Sequence, residues 1–525
     1  MPQFDHVTGP SVSGEPEPVI VSIPGRMKRF DRDDIVLRND AYALRNTFLT
    51  PRESMIEDLL AVRDAFDAAG IRYLLIRGGD DRPVLAIARA ARKAVDRALS
   101  TAFANEPFYA KPLEKDRGGA ALLADGGLRS KHRGSVFSLY RPRIEPIGRL
   151  RYGPASAFQL EFWRFGDNEI VAPRANALTR ERLPLVEAID DEVQLFGRTW
   201  PTLQNMFAPS VEAVDFEIDM VFSWVDGSSE EYQRARAERM RSYVVGEGDD
   251  SPARYRQIDE LKYALRSVHL FAPWVRHIYI ATDSDRPYWL AEHPQVSIVR
   301  SEEFFADTSV LPTHNSQAVE SQLHRIPGLA DHFLYSNDDM FFGRPASPAL
   351  FFSPGGVTKF VQAATRIGLG ENAEWRSGFE NSARVNRRLL RERFGRVITR
   401  HLEHCAAPFS TRVSFDLERE FADDFARTAA SRFRSATDIS VTNSLYHYYA
   451  LLKGHAVEQT QARVQYIETT LARAEGQMAR LLHRRDQDMF CLNDGSSPEV
   501  SDEQRIATVT DFLERYFPIP APWER

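Results

Sequence analysis

The sequence predicts an α/β protein: a Rossmann-like domain followed by a helical half and preceded by a separate, smaller α+β domain. Between residues 216 and 365, short apolar segments alternate with amphipathic ones in the order strand, helix, strand, strand, helix, strand. This alternation is typical of a parallel sheet covered by helices. Beyond residue 366, apolar residues recur at helical spacing. The residues before 205 contain their own helical and strand-like segments.

The length of 525 residues is too great for one typical domain. We therefore divide the chain into a partly ordered lead-in at 1–50, an α+β domain of unknown role at 51–205, a Rossmann-like half at 216–365 and a helical half at 366–525. A net charge of -7 gives no reason to expect binding to nucleic acid. The two cysteines, Cys405 and Cys491, do not support a disulfide framework, so a reducing cytoplasm is the simpler setting.

The first domain begins with a helix over residues 51–70, because Pro51 opens an amphipathic segment that Gly70 closes. A strand at 71–78, a second helix at 84–103 and a later strand in "SAFQLEFWRF" complete the predicted elements.

The second unit is predicted from its apolar runs. Strands are expected in "EIDMVFSWVDG", "VRHIYIATD", "VSIVR" and "HFLYSNDD", and helices in "IDELKYALRSVHLFAPW" and "NSQAVESQLHRI". No run of eighteen apolar residues predicts a transmembrane segment, and no signal peptide is expected.

The helical half is predicted from "ENSARVNRRLLRERFG", "DLEREFADDFARTAASRF" and "TNSLYHYYALLKG". A further long helix is expected from an apolar face with steps of three and four, formed by Val464, Ile467, Leu471, Ala474, Met478 and Leu481. This face either packs on the rest of the chain or forms a homodimer through residues 457–482.

Acidic residues follow three of the predicted strands: Asp226, Asp283 and the pair Asp338 and Asp339. Burial of unpaired carboxylates is costly, so the pair either meets a cation or other ligand, or lies in a solvated turn. Because the carboxyl ends of parallel strands share one edge, the joint pattern favours a common site. No GxGxxG or GxxxxGK[ST] motif is present, so a dinucleotide fingerprint and a P-loop are not supported.

Taken together, four blocks resemble the Stealth family, which includes bacterial capsular or exopolysaccharide phosphotransferases and the lysosomal-enzyme N-acetylglucosamine-1-phosphotransferase. The blocks are "IDMVFSWVDGS", the region from "DELKYALRS" to "YSNDDMFFG", the region from "RHLEHCAAPF" to "SLYHYYALL", and the C-terminal pair "FCLNDG" and "FPIPAPWE". They occur in the family's order.

The resemblance implies transfer of a sugar 1-phosphate from a nucleotide sugar, typically a UDP-sugar, to a hydroxyl of a glycan acceptor. The nucleoside monophosphate is released, and the pathway is capsular or exopolysaccharide synthesis. Mg²⁺ or Mn²⁺ is the expected cofactor. A cytoplasmic location is expected, with peripheral attachment to the inner face of the membrane left open. The alternatives are a metal-dependent glycosyltransferase that releases UDP and a noncatalytic glycan-binding scaffold.

The resemblance also assigns roles to residues near the acidic pair. Asp338 and Asp339 are the expected metal ligands, and Asp339 is also expected to act in catalysis. Asn337 supports them as a substrate-binding group, and Asp226 helps to shape the nucleotide pocket.

In the helical half, His404 matches a histidine that the family is thought to use as a base, and His401 is the nearby rival. Arg434 matches an arginine suited to clamping a diphosphate. Asn315 and Asp438 are expected to contact substrate.

Overall fold

The computed structural model describes residues 29–30, 32–38, 41–78, 82–113, 119–129, 134–147, 150–227, 258–495 and 498–525. The predicted lead-in lies outside these ranges up to residue 28. Within the described ranges, no helix has both the length and the apolar character needed to span a bilayer.

The residues before 205 form a mixed sheet with two helices, Pro51–Ala68 and Arg92–Ala102, packed against one face. The order of its main path is Arg182–Pro184, Glu169–Val171, Phe158–Phe165, Val136–Tyr140, Tyr109–Pro112 and Ala121–Leu122, with Pro83–Ala88 and Leu74–Arg77 attached at Phe158–Phe165. Smaller pairings join Ile35–Arg38, Ala41–Arg45, Arg143–Ile144 and Arg151–Tyr152 in one sheet and Asp190–Leu195 with Arg198–Leu203 in a hairpin.

The helix Pro51–Ala68 begins as predicted, because the Thr50 hydroxyl accepts from the Glu53 amide and the Glu53 carboxylate accepts from the Thr50 amide. The predicted helix at 84–103 is wrong in its first part. Pro83–Ala88 is a buried strand that pairs in parallel with Phe158–Phe165, so distant partners satisfy its backbone.

From residue 216 onward the elements are labelled in chain order. The strands are β1 Ile218–Ser223, β2 Ile278–Ala281, β3 Val296–Val299, β4 His332–Asn337, β5 Met340–Phe342, β6 Thr358–Phe360, β7 Gln362–Arg366, β8 Arg400–Leu402, β9 Ala407–Ser410, β10 Ala456–Glu458, β11 Val464–Glu468 and β12 Met489–Asn493. The helices are α1 Glu260–Phe271, α2 Ser301–Phe304, α3 Ser316–Glu320, α4 Gly378–Phe394, α5 Thr411–Glu420, α6 Ala422–Ala430, α7 Tyr446–Lys453, α8 Ala474–Arg484 and α9 Asp502–Tyr516. A π-helical turn, Val441–Leu445, leads into α7.

The central sheet has the strand order β3-β2-β1-β4-β9. The first four strands are parallel, and β9 runs antiparallel to β4. In this register Ser223 lies beside both Asn337 and Ala281, so β1, β2 and β4 end at one edge. Alternate residues of β1 enter opposite cores: Met220 belongs to one apolar cluster and Val221 to the other.

Residues 366–525 are less helical than predicted. β9 completes the central sheet, and β12 pairs with both β5 and β11 in a smaller sheet. The chain is therefore an α/β protein with mixed sheets in both halves of the sequence.

The predicted long helix that begins at Val464 is wrong. Residues Val464–Glu468 form β11, which pairs in parallel with β12, and the helix α8 begins only at Ala474. Ile467, Met478 and Leu481 are buried in the chain's own core. The prediction of a homodimer through residues 457–482 was based on this helical face, which does not form.

Candidate active site

The acidic pair lies in the turn between β4 and β5. β4 ends at Asn337 in the central sheet, and β5 begins at Met340 in the smaller sheet. Asp338 and Asp339 therefore occupy the point where the chain leaves one sheet for the other. The next two residues, Phe341 and Phe342, are buried in the core and anchor the turn.

Two further acids join this pair. Glu260 opens α1, and Asp494 follows β12. Burial raises the pKa of Asp338 to about 7, and the charge on Asp339 adds to this effect. Burial likewise raises the pKa of Glu260 to about 7, reinforced by Asp338.

Asp339 has an incomplete set of hydrogen bonds. The Cys491 thiol lies 3.4 Å from Oδ2 of Asp339, and Nδ2 of Asn493 lies 3.5 Å from the same oxygen. Oδ1 of Asp339 is buried and has no hydrogen-bond partner. Burial raises the pKa of Asp339 to about 7; the thiol contact opposes this, and the charges of Glu260 and Asp494 reinforce it.

Asp494 is held by other contacts. Its carboxylate accepts from the Thr469 hydroxyl at 2.6 Å and pairs with Arg505 at 2.6 Å. Within the described part of the chain, no three or more His, Cys, Asp and Glu side chains are arranged to hold a metal ion by themselves.

His404 reaches the same edge of the central sheet. β9 is antiparallel to β4 with Ala407 opposite Tyr335, so the residues just before β9 lie beside those just after β4. The ring of His404 is 5.4 Å from that of Tyr466 in β11, and Tyr466 lies opposite Cys491 in the small sheet. A chain of contacts thus runs from the histidine to Asp339.

His401 lies in β8. Its ring stacks on Phe379 with the centroids 4.5 Å apart, whereas the His404 ring is 6.1 Å from Phe379. Burial lowers the pKa of His401 to about 4, helped by the charge of His404 and of Arg384. Burial also lowers the pKa of His404, whose Nδ1 is buried without a hydrogen-bond partner.

Arg434 is fixed beside the first residues of α3 and α4. Its Nη2 donates to the Ser316 hydroxyl at 2.8 Å. A side chain at Gly378 would place its Cβ 2.7 Å from Cδ of Arg434, so a larger residue there would force this arginine to shift.

A hydrogen-bonded network links the surroundings of Arg434 to the end of β4. The Glu320 carboxylate accepts from the Thr442 hydroxyl and also contacts Ser316 and Tyr335. The Tyr335 hydroxyl donates to Oδ1 of Asn337 at 2.8 Å. Hydrogen bonds therefore connect Asn337, through Tyr335 and Glu320, to Ser316, which binds Arg434. Asn337 also directly precedes the acidic pair.

Asn315 and Asp438 contact each other. Nδ2 of Asn315 donates to Oδ2 of Asp438 at 2.8 Å and to the Ser431 carbonyl at 3.0 Å. The Ser435 amide donates to the same carboxylate oxygen at 2.8 Å. Burial raises the pKa of Asp438 to about 6. These contacts fasten the loop that carries Arg434, and the predicted substrate contacts of both residues stay predictions.

The other two strand-end acids, Asp226 and Asp283, follow β1 and β2. The Asp226 amide donates to the Ser284 hydroxyl at 2.8 Å, so the segments after β1 and β2 meet. Oδ1 of Asp283 accepts from the Ser301 amide at 2.8 Å, at the first residue of α2. Asp283 therefore has a local structural role.

Sequence patterns did not identify Glu260, Tyr466 or Asp494 as part of this region. Asp494 follows a strand in "FCLNDG", so the strand-end pattern applied to Asp338 also fits it. Glu260 lies in an amphipathic helix, and Tyr466 falls in the segment assigned to the wrong helix, so neither carried a local signal.

Comparison with known proteins defines the class of this chain, which is a transferase. Family models of Stealth protein conserved regions 1, 2, 3 and 4 match residues 216–244, 254–360, 403–451 and 479–525. The chain belongs to the Stealth family and is an enzyme of the exopolysaccharide phosphotransferase type.

Curated relatives match over nearly the whole chain. The exopolysaccharide phosphotransferase CpsY of Mycobacterium tuberculosis (strain CDC 1551 / Oshkosh) is 57% identical over 491 residues, which cover 94% of this chain and 92% of CpsY. An exopolysaccharide phosphotransferase of Nocardia farcinica is 53% identical over 477 residues, covering 91% and 88%. Matches of this length also include most of the residues before 216.

Solved structures show a weaker likeness. Galactosyltransferase LgtC has a TM-score of 0.31 and 12% identity, covering 58% of this chain and 96% of LgtC. The bifunctional glycosyltransferase WbbM has a TM-score of 0.30 and 11% identity, covering 61% and 53%. These scores do not define the fold.

Proposed function

We propose that this enzyme transfers a sugar 1-phosphate from a nucleotide sugar, with UDP-sugars the first class to test, to a hydroxyl of a glycan acceptor. The nucleoside monophosphate is the second product, and the pathway is capsular or exopolysaccharide synthesis. The observation that carries the proposal is the antiparallel pairing of β4 with β9, which brings His404 to the edge where Asp338 and Asp339 lie.

We further propose that residues 216–365 are a Rossmann-like donor-binding half and that residues 51–205 are a separate domain. The parallel order of β3, β2, β1 and β4 supports the first point, and the apolar core of the N-terminal residues supports the second. The location proposed is the cytoplasm, where free cysteines such as the buried Cys405 and Cys491 persist. Attachment to the inner face of the membrane is the alternative.

The residues of the acidic pair fit a hard divalent cation. Asp339 offers a buried oxygen without a hydrogen-bond partner, and the pKa values of Asp338 and Asp339 are raised by burial and by neighbouring acids. Mg²⁺ is commonly held by one or two carboxylates together with substrate phosphates, so a complete protein cage is not required. Asp338 and Asp339 would hold Mg²⁺ or Mn²⁺, which would neutralise phosphate charge on the donor.

His404 is proposed as the general base. The acceptor oxygen attacks the phosphorus that bears the sugar, and the bond from this phosphorus to the bridging oxygen breaks. The bridging oxygen leaves with the nucleoside monophosphate, and the proton of the acceptor hydroxyl passes to His404. Because burial lowers the pKa of His404, its imidazole is neutral near pH 7 and can accept this proton.

His401 remains the rival base, but its surroundings favour a structural role. His401 is buried against Phe379 and lies near the charge of Arg384. The His404 ring instead contacts Tyr466, whose pKa is raised in part by the charge of Asp339. His404 is therefore nearer to the acidic pair along the contacts of the structure.

Arg434 is proposed to bind the donor diphosphate, since a guanidinium group is permanently charged and can bind two phosphate oxygens at once. Asn315 and Asp438 would hold the loop of Arg434 in position through their mutual hydrogen bond. Asn337 and Asp226 are proposed to contact the donor, from the ends of β4 and β1.

The identity of the released nucleotide tests the proposal. Purified protein is incubated with Mg²⁺, a panel of UDP-sugars and glycan acceptors, and the products are separated and identified by mass spectrometry. Release of UMP with a sugar phosphate on the acceptor is expected. Release of UDP would instead identify a glycosyltransferase, and absence of metal-dependent turnover would favour a noncatalytic glycan-binding scaffold.

A further inference from the structure

Trp375 is an exposed tryptophan beside the candidate active site. The chain has seven tryptophans, all at described positions, and Trp375 is the one classed as exposed, with 64% of its surface open to solvent. It lies between β7 and α4. An exposed indole offers a large, rigid and partly polar surface on which a ligand can stack.

The segment that carries Trp375 is held in place by hydrogen bonds. The side chain of Asn381 in α4 accepts from the Ala373 amide at 2.9 Å and donates to the Ala373 carbonyl at 2.8 Å. Nδ2 of Asn372 donates to the Ala436 carbonyl at 2.9 Å, in the loop that also carries Arg434. The tryptophan is therefore presented by an ordered backbone, which reduces the entropy lost on binding.

Arg376 fixes the orientation of the indole ring. Its guanidinium carbon lies 4.1 Å from the centre of the Trp375 ring, a cation–π contact. The guanidinium lies over one face of the ring, and the 64% exposure of Trp375 leaves ring surface available to a flat apolar ligand. Pyranose rings present such a face through their C–H groups, and their hydroxyls can accept from an arginine.

The position of Trp375 relates this surface to the acceptor. Phe379 follows four residues later, and its ring is 6.1 Å from that of His404. Four residues of chain span at most about 14 Å between Cα atoms, so an oligosaccharide can reach from Trp375 to the histidine. Asp226 and the ends of β1 and β2, where the donor nucleotide is proposed to bind, lie on the other side of β4.

We infer that Trp375 and Arg376 form an acceptor subsite that binds the glycan chain behind its reacting hydroxyl. This inference rests on the proposed function for the identity of the acceptor. A pyranose ring stacks on the free face of the indole, and the guanidinium contacts the sugar hydroxyls. Recognition by stacking explains how a polymer would be held one or more sugar units away from the residue that reacts.

Two measurements on the full-length protein test the subsite. Saturation-transfer NMR with maltotriose, cellotriose, chitotriose and mannotriose reports direct contact with a saccharide. Steady-state kinetics with a UDP-sugar and the saccharides that bind report the KM of the acceptor. The variants are Trp375→Ala, Trp375→Tyr and the control Phe165→Ala, which removes another exposed aromatic ring from a strand of the N-terminal sheet.

Trp375→Ala is expected to abolish the saturation transfer and to raise the acceptor KM by about tenfold, the effect of losing one aromatic contact. Trp375→Tyr should restore most of both signals, and Phe165→Ala should match the wild type. A rise in donor KM in place of acceptor KM, or equal binding by Trp375→Ala, would overturn the inference. So would the absence of saturation transfer from all four saccharides, whereas release of UMP by the same preparation would still support the proposed function.

Discussion

The thiol of Cys491 lies 3.4 Å from Oδ2 of Asp339 and joins the C-terminal part of the chain to the acidic turn. Cys491 is also the residue opposite Tyr466, whose ring contacts His404. The smaller sheet therefore connects the proposed metal ligand to the proposed base. The proposed roles of these residues differ, so mutations at each of them should change different kinetic constants.

Replacement of Asp338 or Asp339 by Asn should remove most activity while the fold is retained. We expect kcat/KM to fall by about 100-fold or more, because each change removes a carboxylate charge that holds the proposed metal ion, which would neutralise the donor phosphates. Asp331→Asn, at the other end of β4, is the matched control. Activity assays with Mg²⁺ and circular dichroism measure the two effects, and an active, folded Asp339→Asn enzyme would refute the assignment of metal and catalytic roles.

Replacement of His404 by Ala should lower kcat by about 100-fold or more with little change in the donor KM, since a general base acts in the transition state. His401→Ala should have a smaller effect on kcat. A loss confined to donor affinity in His404→Ala, or a larger loss of kcat in His401→Ala, would move the base role away from His404.

Replacement of Arg434 by Lys should raise the donor KM by about tenfold or more, because an ammonium group cannot bind two phosphate oxygens in the fork geometry of a guanidinium. The neighbouring Arg432 is exposed, so Arg432→Lys is the matched control. Initial rates at varied UDP-sugar concentration measure the change. Equal KM values for the two variants would argue against the diphosphate clamp.

His401 should make the protein less stable in acid. Its pKa is about 4 in the folded chain against an ordinary value of 6.5, so the unfolded chain takes up the proton first as the pH falls. The stability associated with the neutral ring is complete above pH 6.5 and is lost between about pH 6.5 and 4, by about 2–3 kcal/mol. Urea unfolding at pH 7.5 and 4.5 checks this.

The matched variant is His401→Phe, which keeps an aromatic ring against Phe379 but does not titrate. It should lose less stability than the wild type on acidification. His447, whose pKa is lowered to about 3 by burial, is present in both proteins and cancels in the comparison. Equal acid sensitivity of the two proteins would show that His401 is not the cause.

Sequence reasoning predicted the elements whose signals are local. β1, α1 and β4 each have a clear apolar pattern, and the polar break after Asn337 marked the acidic turn. The prediction was wrong at β11 because the three-residue spacing of Val464 and Ile467 matches the period of a helix. Its partner β12 lies more than twenty residues later, and no local pattern reveals that pairing.

The details of the site depend on contacts between distant parts of the chain. Asn315 and Asp438 are 123 positions apart in sequence. The hydrogen bond between them satisfies two buried polar groups, and no local sequence pattern reveals it. Glu260 approaches Asp338 through the packing of α1 on the sheet. Motifs mark the functional residues, whereas the partners of those residues are set by the fold.

The antiparallel strand β9 has a consequence for how this enzyme unfolds. It belongs in sequence to residues 366–525, yet its main-chain partner β4 belongs to residues 216–365. A cut near residue 366 would leave one fragment with an open sheet edge and the other with a strand that has no sheet. The two segments should therefore melt together in a single calorimetric transition, and neither should fold when expressed alone.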